Sequence, residues 1–405
     1  MSLDLRKVSE SINSLTASMK NSVPILTDNL NSIVKTFEAS DPVKLRNKQE
    51  KSFDTYDFPL PAGITESFAN KYSLPEIPEG FSVVSADGSD IDVDRHLPVR
   101  VYVINVGGCI FTYGETPNAE LRNEPKLYGE YDDLYLTDSK IRTRETPIQG
   151  TVLGLKRTVE EAKFLAQMTE NSDETIPTLS LMDGSLMMWG FLPKGDDLVR
   201  DVMLKDGLIS ELDRIYQMSR NRTLAVASYI SLPGATEVIN ALRMHDSFCP
   251  YEVSHCSDQC GSTPPNDRPC MQLNNLMDRT LFERTLAPGE RSALFYSTSS
   301  VVQEHYGVHK IYFFYVNVGE EIGRVEVPEW VAFDKQLLDL THGLIVDQCR
   351  RGFGYPVALA EAHEQAVIGQ YDRESFKELI DIMLTTHKLP VYTSRKNRSK
   401  RLRYL

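Results

Sequence analysis

A chain of 405 residues, 41% of them hydrophobic and 25% charged, is long enough for one large or two medium domains around a sizeable core. Its formal net charge of −13 argues against nucleic-acid binding by whole-surface attraction and leaves room only for a local basic contact. No apolar run reaches the roughly 18 residues of a membrane span, and MSLDLRKVSESINSL at the amino terminus lacks a signal-peptide core, so the expectation is a cytoplasmic protein with no membrane association.

Residues 1–50 read as a helical N-terminal extension. Leu5, Val8, Ile12, Leu15 and Met19 form one apolar stripe, Pro24 interrupts, and Leu26, Leu30, Ile33, Val34 and Phe37 begin another. Two helices without a core of their own would pack on the main domain or on a second copy of the chain. Residues 51–80 read as a linker, extended by the prolines and glycines between Asp54 and Gly80. The main domain is expected over 81–390. Its pattern opens with three strands, FSVVSA, VRVYVINV ending at Val106, and CIFTYG from Cys109, the last two separated by a turn at Gly107-Gly108. A charged, irregular piece follows from Glu115 to Pro147, then a helix from Thr151 to Met168, then a strand ending at Asp183.

The second half is mixed. Helical sequence follows Asp196, TLAVASYIS reads as a strand, and ATEVINALRMH as a short helix. SALFYSTSS, KIYFFYVNVG and IGRVEVPEWV read as strands, the latter two joined in a hairpin through Gly319-Glu320-Glu321. A helical region from Asp334 to Leu384 breaks near Gly352–Pro356. Residues 391–405 form a basic tail with Arg395, Lys396, Arg398, Lys400, Arg401 and Arg403, either a solvated end or a contact for nucleic acid or a partner.

Two segments repeat one design, an apolar run followed by Asp-Gly-Ser: FSVVSADGS ending at Ser89 and LSLMDGS ending at Ser185. Each reads as a buried strand with a carboxylate at its tip, with Gly88 and Gly184 turning the backbone just beyond. Taken singly, Asp-Gly is a common turn dipeptide. If the strands are neighbours, Asp87 and Asp183 lie side by side, and paired carboxylates can hold a hard divalent cation suited to phosphodiester chemistry.

Three strands, a helix and a strand, with acids on the first and last, is the order of an α/β fold of the ribonuclease H-like kind, a mixed sheet flanked by helices. There the third acid sits on the helix. Glu161 shares a helical face with Phe164, Leu165 and Met168, and Glu160 one with Lys163, Phe164 and Gln167, so Glu161 is preferred and Glu160 stays open. Near the end, helical spacing in GYPVALAEAHEQAVIG puts His363 on one side with Leu359 and Ala366, as a core histidine or as a metal ligand or proton shuttle. Oxygen-rich ligation with one imidazole suits manganese or magnesium better than zinc.

Cys249, Cys256, Cys260 and Cys270 form C-x6-C-x3-C-x9-C within an insertion at 245–272, with His245 and His255 nearby. In a cytoplasmic chain this concentration favours a structural zinc or an iron–sulfur cluster over disulfides, with four reduced thiols the alternative. Cys109 and Cys349 read as core residues.

VSADGS, LMDGSL and GYPVALAEAHEQAVI, with the intervening LAPGERSALFYSTSS and FFYVNVGEEIGRVEVPEWV, resemble the NurA family of nucleases over roughly residues 80 to 370. The resemblance implies a manganese-dependent nuclease of ribonuclease H-like fold that acts on single-stranded DNA and trims double-stranded ends 5′ to 3′. It also implies a homodimer working with HerA, a hexameric ATPase translocase, in DNA end resection. Asp87 and Asp183 match the acids of the family's first two motifs, Glu161 the helical glutamate and His363 the carboxyl-terminal histidine; Tyr355 is the candidate for a tyrosine near the site. The alternatives from other classes are a non-catalytic docking subunit of a translocase complex and a ribonuclease H-like enzyme acting on RNA.

Overall fold

The computed structural model describes residues 4–52, 55–94, 97, 99–137, 145–188, 197–264 and 267–389, without the side chains of residues 14 and 17–29. Its centre is a mixed sheet whose principal strands are β1 (Phe81–Ile91), β2 (Tyr102–Tyr113), β3 (Asn118–Tyr128), β4 (Thr178–Asp183), β5 (Leu224–Ile230), β6 (Ile311–Asn317) and β7 (Ile322–Pro328). They lie in the order β3-β2-β1-β4-β5-β7-β6. The first three form an antiparallel meander, β4 and β5 run parallel to β1, and the β6–β7 hairpin is antiparallel to β5. This is an α/β architecture, a large mixed sheet flanked by helices.

Side-chain alternation along β1 explains the layers. Val84 and Ala86 face a core completed by Phe164 and Leu165 of α3 (Thr151–Glu170) and by Leu204 and Leu212 of the helical segment that follows β4. Phe81 and Val83 face the opposite core, with Leu179 and Leu181 of β4, Leu344 of α4 (Lys335–Arg351) and Ala358 and Leu359 of α5 (Val357–Ala366). A further helix, α6 (Gln370–Thr386), follows α5. Cys109 and Cys349 are fully buried, as core residues should be.

Several expectations are corrected. Pro24 does not divide the N-terminal extension: one helix spans Leu5–Glu38, and a second, Pro42–Lys51, starts after Asp41, whose carboxylate accepts from the Val43 and Lys44 amides. A single proline costs a helix one hydrogen bond, which a long helix anchored further along can absorb. The anchor is Ile33 and Phe37, which pack with Phe68, Phe282 and Phe295 beside β6. The linker is not merely extended, because Gly63–Ile64 and Lys71–Tyr72 pair with short strands at the sheet's edge. SALFYSTSS is not one strand: it supplies Ser292, the end of the short strand Arg291–Ser292, and Phe295–Tyr296 before a helix begins at Ser300. The basic tail, Arg395 to Arg403, lies outside the described residues. Among the described residues no helix is long and apolar enough to cross a membrane.

The correction with the largest consequence concerns Gly107-Gly108. This pair is not a turn; it lies in the middle of β2, paired with Asp87 and Ala86 on β1. A Cβ on Gly107 would stand 2.4 Å from the Ala366 backbone nitrogen, and one on Gly108 would stand 2.5 Å from the Ser85 carbonyl oxygen and 3.0 Å from the Phe164 ring. The glycines therefore let α5 press onto the sheet at Gly107 while Gly108 relieves crowding beside α3. The third strand of the meander is consequently Asn118–Tyr128, within the stretch expected to be irregular. It is an edge strand with little burial: Leu121 and Leu127 are exposed, and Asn123 and Pro125 break the alternation between them, so no continuous apolar face reveals it.

Gly107→Ala is expected to destabilise the fold by roughly 1–3 kcal/mol, because helix backbone rather than a flexible side-chain end occupies the space. Urea denaturation checks this. An unchanged midpoint would mean that α5 is not seated as closely as its contacts imply.

Candidate active site

Ser82 to Ala86 of β1 pair in register with Thr178 to Met182 of β4. The next residue on each strand is Asp87 and Asp183, so the two carboxylates sit on adjacent strands about 5 Å apart at the backbone. The two Asp-Gly-Ser copies differ thereafter. Gly184 has φ +80° and turns the chain away, whereas β1 continues through Gly88 to Ile91, contrary to the expected turn. Gly88 serves proximity instead: a Cβ there would meet Glu161 Oε1 at 2.7 Å.

Asp87 faces α5, as Ser85 and Ser89 do. Ser85 Oγ donates to the Ala358 carbonyl and Ser89 Oγ to that of Ala366, each at 2.5 Å, and Asn105 Nδ2 donates to the Ala366 carbonyl at 2.8 Å. Both ends of α5 are thereby tied to β1 and β2. This placement lets His363 Nδ1 donate to Asp87 Oδ2 at 2.8 Å. The His363 side chain is 60% exposed, correcting the expectation of apolar surroundings: the buried stripe of α5 is Ala358, Leu359, Ala362 and Ala366, and His363 stands at its margin. With Nδ1 bonded to a carboxylate, Nε2 keeps its lone pair for a ligand or a proton.

Tyr355, in the break between α4 and α5, bonds its hydroxyl to Asp183. Burial raises the Asp183 carboxyl; the Tyr355 bond lowers it, the charge of Asp87 raises it again, and the net effect is upward. The Tyr355 hydroxyl is itself pushed up by burial and by Asp183, which keeps it a donor.

Glu161 approaches from α3, on the opposite face of β1. Burial pushes its carboxyl up to about 8; Arg157, whose Nε lies 3.2 Å from Oε1, opposes that, while Asp87, Asp183 and Asp90 add to it. Glu161 lies against Gly88, the residue after Asp87, although it belongs to the other layer. Glu160 points elsewhere: burial is outweighed by Lys156, 2.6 Å away, and by Lys163 and Lys126, so its carboxyl is held low.

The structure thus joins Asp87, Asp183, His363 and Tyr355 directly and sets Glu161 behind Gly88. Among the described residues no three His, Cys, Asp or Glu side chains close on one point as a finished metal site. By donor chemistry, however, three carboxylates, of which Glu161 and Asp183 are raised by burial and by the neighbouring acids, fit a hard divalent cation together with one imidazole.

A family model described as the NurA domain matches residues 81–368. The chain belongs to the NurA family. No curated protein matches it significantly in sequence. Among solved structures, Aquifex aeolicus Argonaute aligns at 9% identity over 73% of this chain and 29% of that one, with a TM-score of 0.27. LC9-RNase H1, a type 1 RNase H with the type 2 active-site motif, aligns at 12% identity over 41% of this chain and 71% of that one, with a TM-score of 0.18. Likenesses this loose add nothing to the family assignment or to the strand order.

Sequence reasoning missed two groups in this NurA domain. Asp90 lies one turn of the pleat beyond Gly88, and its Oδ1 accepts from Arg157 Nη1 at 3.3 Å, so one guanidinium serves two acids. The helical spacing of Arg157 and Glu161 was the available signal. The other group is Glu326 of β7, which accepts from Ser185 Oγ at 2.7 Å and the Leu186 amide at 3.0 Å and so fixes the turn after Asp183. Glu326 is in turn bound by Arg324 Nε at 2.9 Å, and Arg324 also pairs with Glu237. Nothing local in IGRVEVP announces this, since the partners come from distant segments.

Gly88→Ala is expected to leave the fold intact, because the displaced group is the end of a side chain, but to push Glu161 away from Arg157. A crystal structure of the variant checks this. A Glu161–Arg157 separation still at 3.2 Å would show that Gly88 does not set the glutamate's position.

Proposed function

We propose that this NurA-family protein is a metal-dependent DNA nuclease that hydrolyses phosphodiester bonds in single-stranded DNA and at double-stranded ends, 5′ to 3′. In this reading it acts as a homodimer with a HerA-type hexameric ATPase in DNA end resection. The observation that carries the reading is the side-by-side placement of Asp87 and Asp183 by parallel strand pairing inside a NurA domain. Membership of a nuclease family supports hydrolysis; substrate, polarity and partners rest on the family resemblance of the motifs.

Asp87 and Asp183 would be the principal oxygen donors to manganese or magnesium, with Glu161 and His363 available to complete the set. When bound, the cation would polarise the phosphodiester and ease deprotonation of an attacking water. The remaining work belongs to the chain. Tyr355 holds one Asp183 oxygen, Asp87 fixes the His363 ring, and Arg157 screens Glu161 and Asp90 so that the acids do not drive the rim apart. The oxygen-rich set argues against zinc.

Asp183→Asn keeps size and the capacity to accept from Tyr355 while removing a carboxylate whose ionisation the fold disfavours. The melting temperature should therefore stay level or rise, while manganese-dependent cleavage of end-labelled DNA should fall by roughly a hundredfold or more. Cleavage within a few-fold of wild type, in a preparation free of contaminating nuclease, would refute the assigned site. Parallel reactions with chelator, with RNA and with a HerA-type translocase test the remaining parts of the proposal.

A further inference from the structure

The cysteine insertion is independent of the acidic rim. Cys256 and Cys260 begin and end one short helix, and Cys249 and Cys270 come from the segments on either side, yet all four line one cavity of about 80 Å³. The loops are held in place by main-chain contacts: the Cys256 amide donates to the Thr55 carbonyl at 3.1 Å, Arg243 Nη1 donates to the Cys270 carbonyl at 2.9 Å, and the Lys48 ammonium donates to the Cys249 carbonyl. The backbone around the four cysteines is thus held by groups outside the insertion's own loops, Lys48 of the second N-terminal helix among them. All four thiols are free, with no disulfide among them.

The shape of the site discriminates between ligands. Two thiolates on one tetrahedral zinc, each about 2.3 Å from it, would stand about 3.8 Å apart and leave no room between them. Here the four cysteines line a cavity of about 80 Å³, roughly two to three times the 30 Å³ a water molecule occupies in the liquid. Among the described residues no three of the side chains close on a single ion. The donors are sulfur alone: neither His245 nor His255 lines the cavity, and His255 Nδ1 instead meets Asp258 at 3.2 Å. Arg243 and Arg268, which do line it, supply positive charge against an anionic cluster. We propose that Cys249, Cys256, Cys260 and Cys270 ligate an iron–sulfur cluster that ties the segments of the insertion to one another.

The full-length protein, purified anaerobically and also reconstituted with ferric iron, sulfide and a thiol reductant, tests this by elemental analysis, acid-labile sulfide and visible absorption. The expected result is iron and sulfide in equal amounts, about two or four of each per chain, with a visible band bleached by dithionite. Cys260→Ser should lose most of the iron. The melting temperature of the loaded wild type should exceed that of the stripped protein, since a group bound only by the fold stabilises it. One zinc per chain without sulfide, or no metal after reconstitution, overturns the proposal, and the wild-type measurement decides even if a cysteine variant fails to fold. Asp183→Asn should retain its iron, so failure here and failure of the nuclease site are separable.

Discussion

The interaction on which the rest depends is a repulsion. Parallel pairing of β1 with β4 forces two carboxylates onto adjacent strands, where burial and then the charge of Asp87 raise the Asp183 carboxyl. A fold gains nothing in stability from such a placement. Its neighbours make sense as responses to it: Tyr355 donates to Asp183, His363 donates to Asp87, and Arg157 bridges Glu161 and Asp90. Unfavourable charge held in place by well-packed surroundings is a common mark of a site built for a ligand.

Two supports hold that charge. On one side, α5 is fastened to β1 and β2 through Ser85, Ser89 and Asn105 and lies close enough that only glycine fits at 107. On the other, the turn after Asp183 is anchored by Glu326, itself part of a buried ionic network with Arg324 and Glu237. Buried pairs of this sort contribute little net stability, yet removing one partner leaves an uncompensated charge and is costly. Their value here is geometric, because they fix a loop that carries a functional acid. β7 and β5, outside the meander-helix-strand unit, thus belong to the site's framework.

The parts of the fold governed by local pattern were legible. Apolar runs announced β1, β4, β5 and the β6–β7 hairpin, and helical periodicity announced α3 and the α4–α5 pair. Gly107-Gly108 misled because glycine signals both a turn and a close approach, and only the position of α5 separates the two. Asn118–Tyr128 was invisible because an exposed edge strand needs no apolar face. The same division holds at the site. Asp87 and Asp183 stood out through a repeated tripeptide on an apolar run, and Glu161 through its helical face. Asp90, the role of Gly88 and the anchoring by Glu326 arise from contacts between segments distant in sequence, which periodicity does not encode.

Manganese soaked into crystals of the protein and located by anomalous diffraction tests the central claim most directly. The account predicts a peak within bonding distance of carboxylate oxygens from both Asp87 and Asp183. An ordered manganese elsewhere on the chain, with the rim between these aspartates empty at saturating metal, would contradict it.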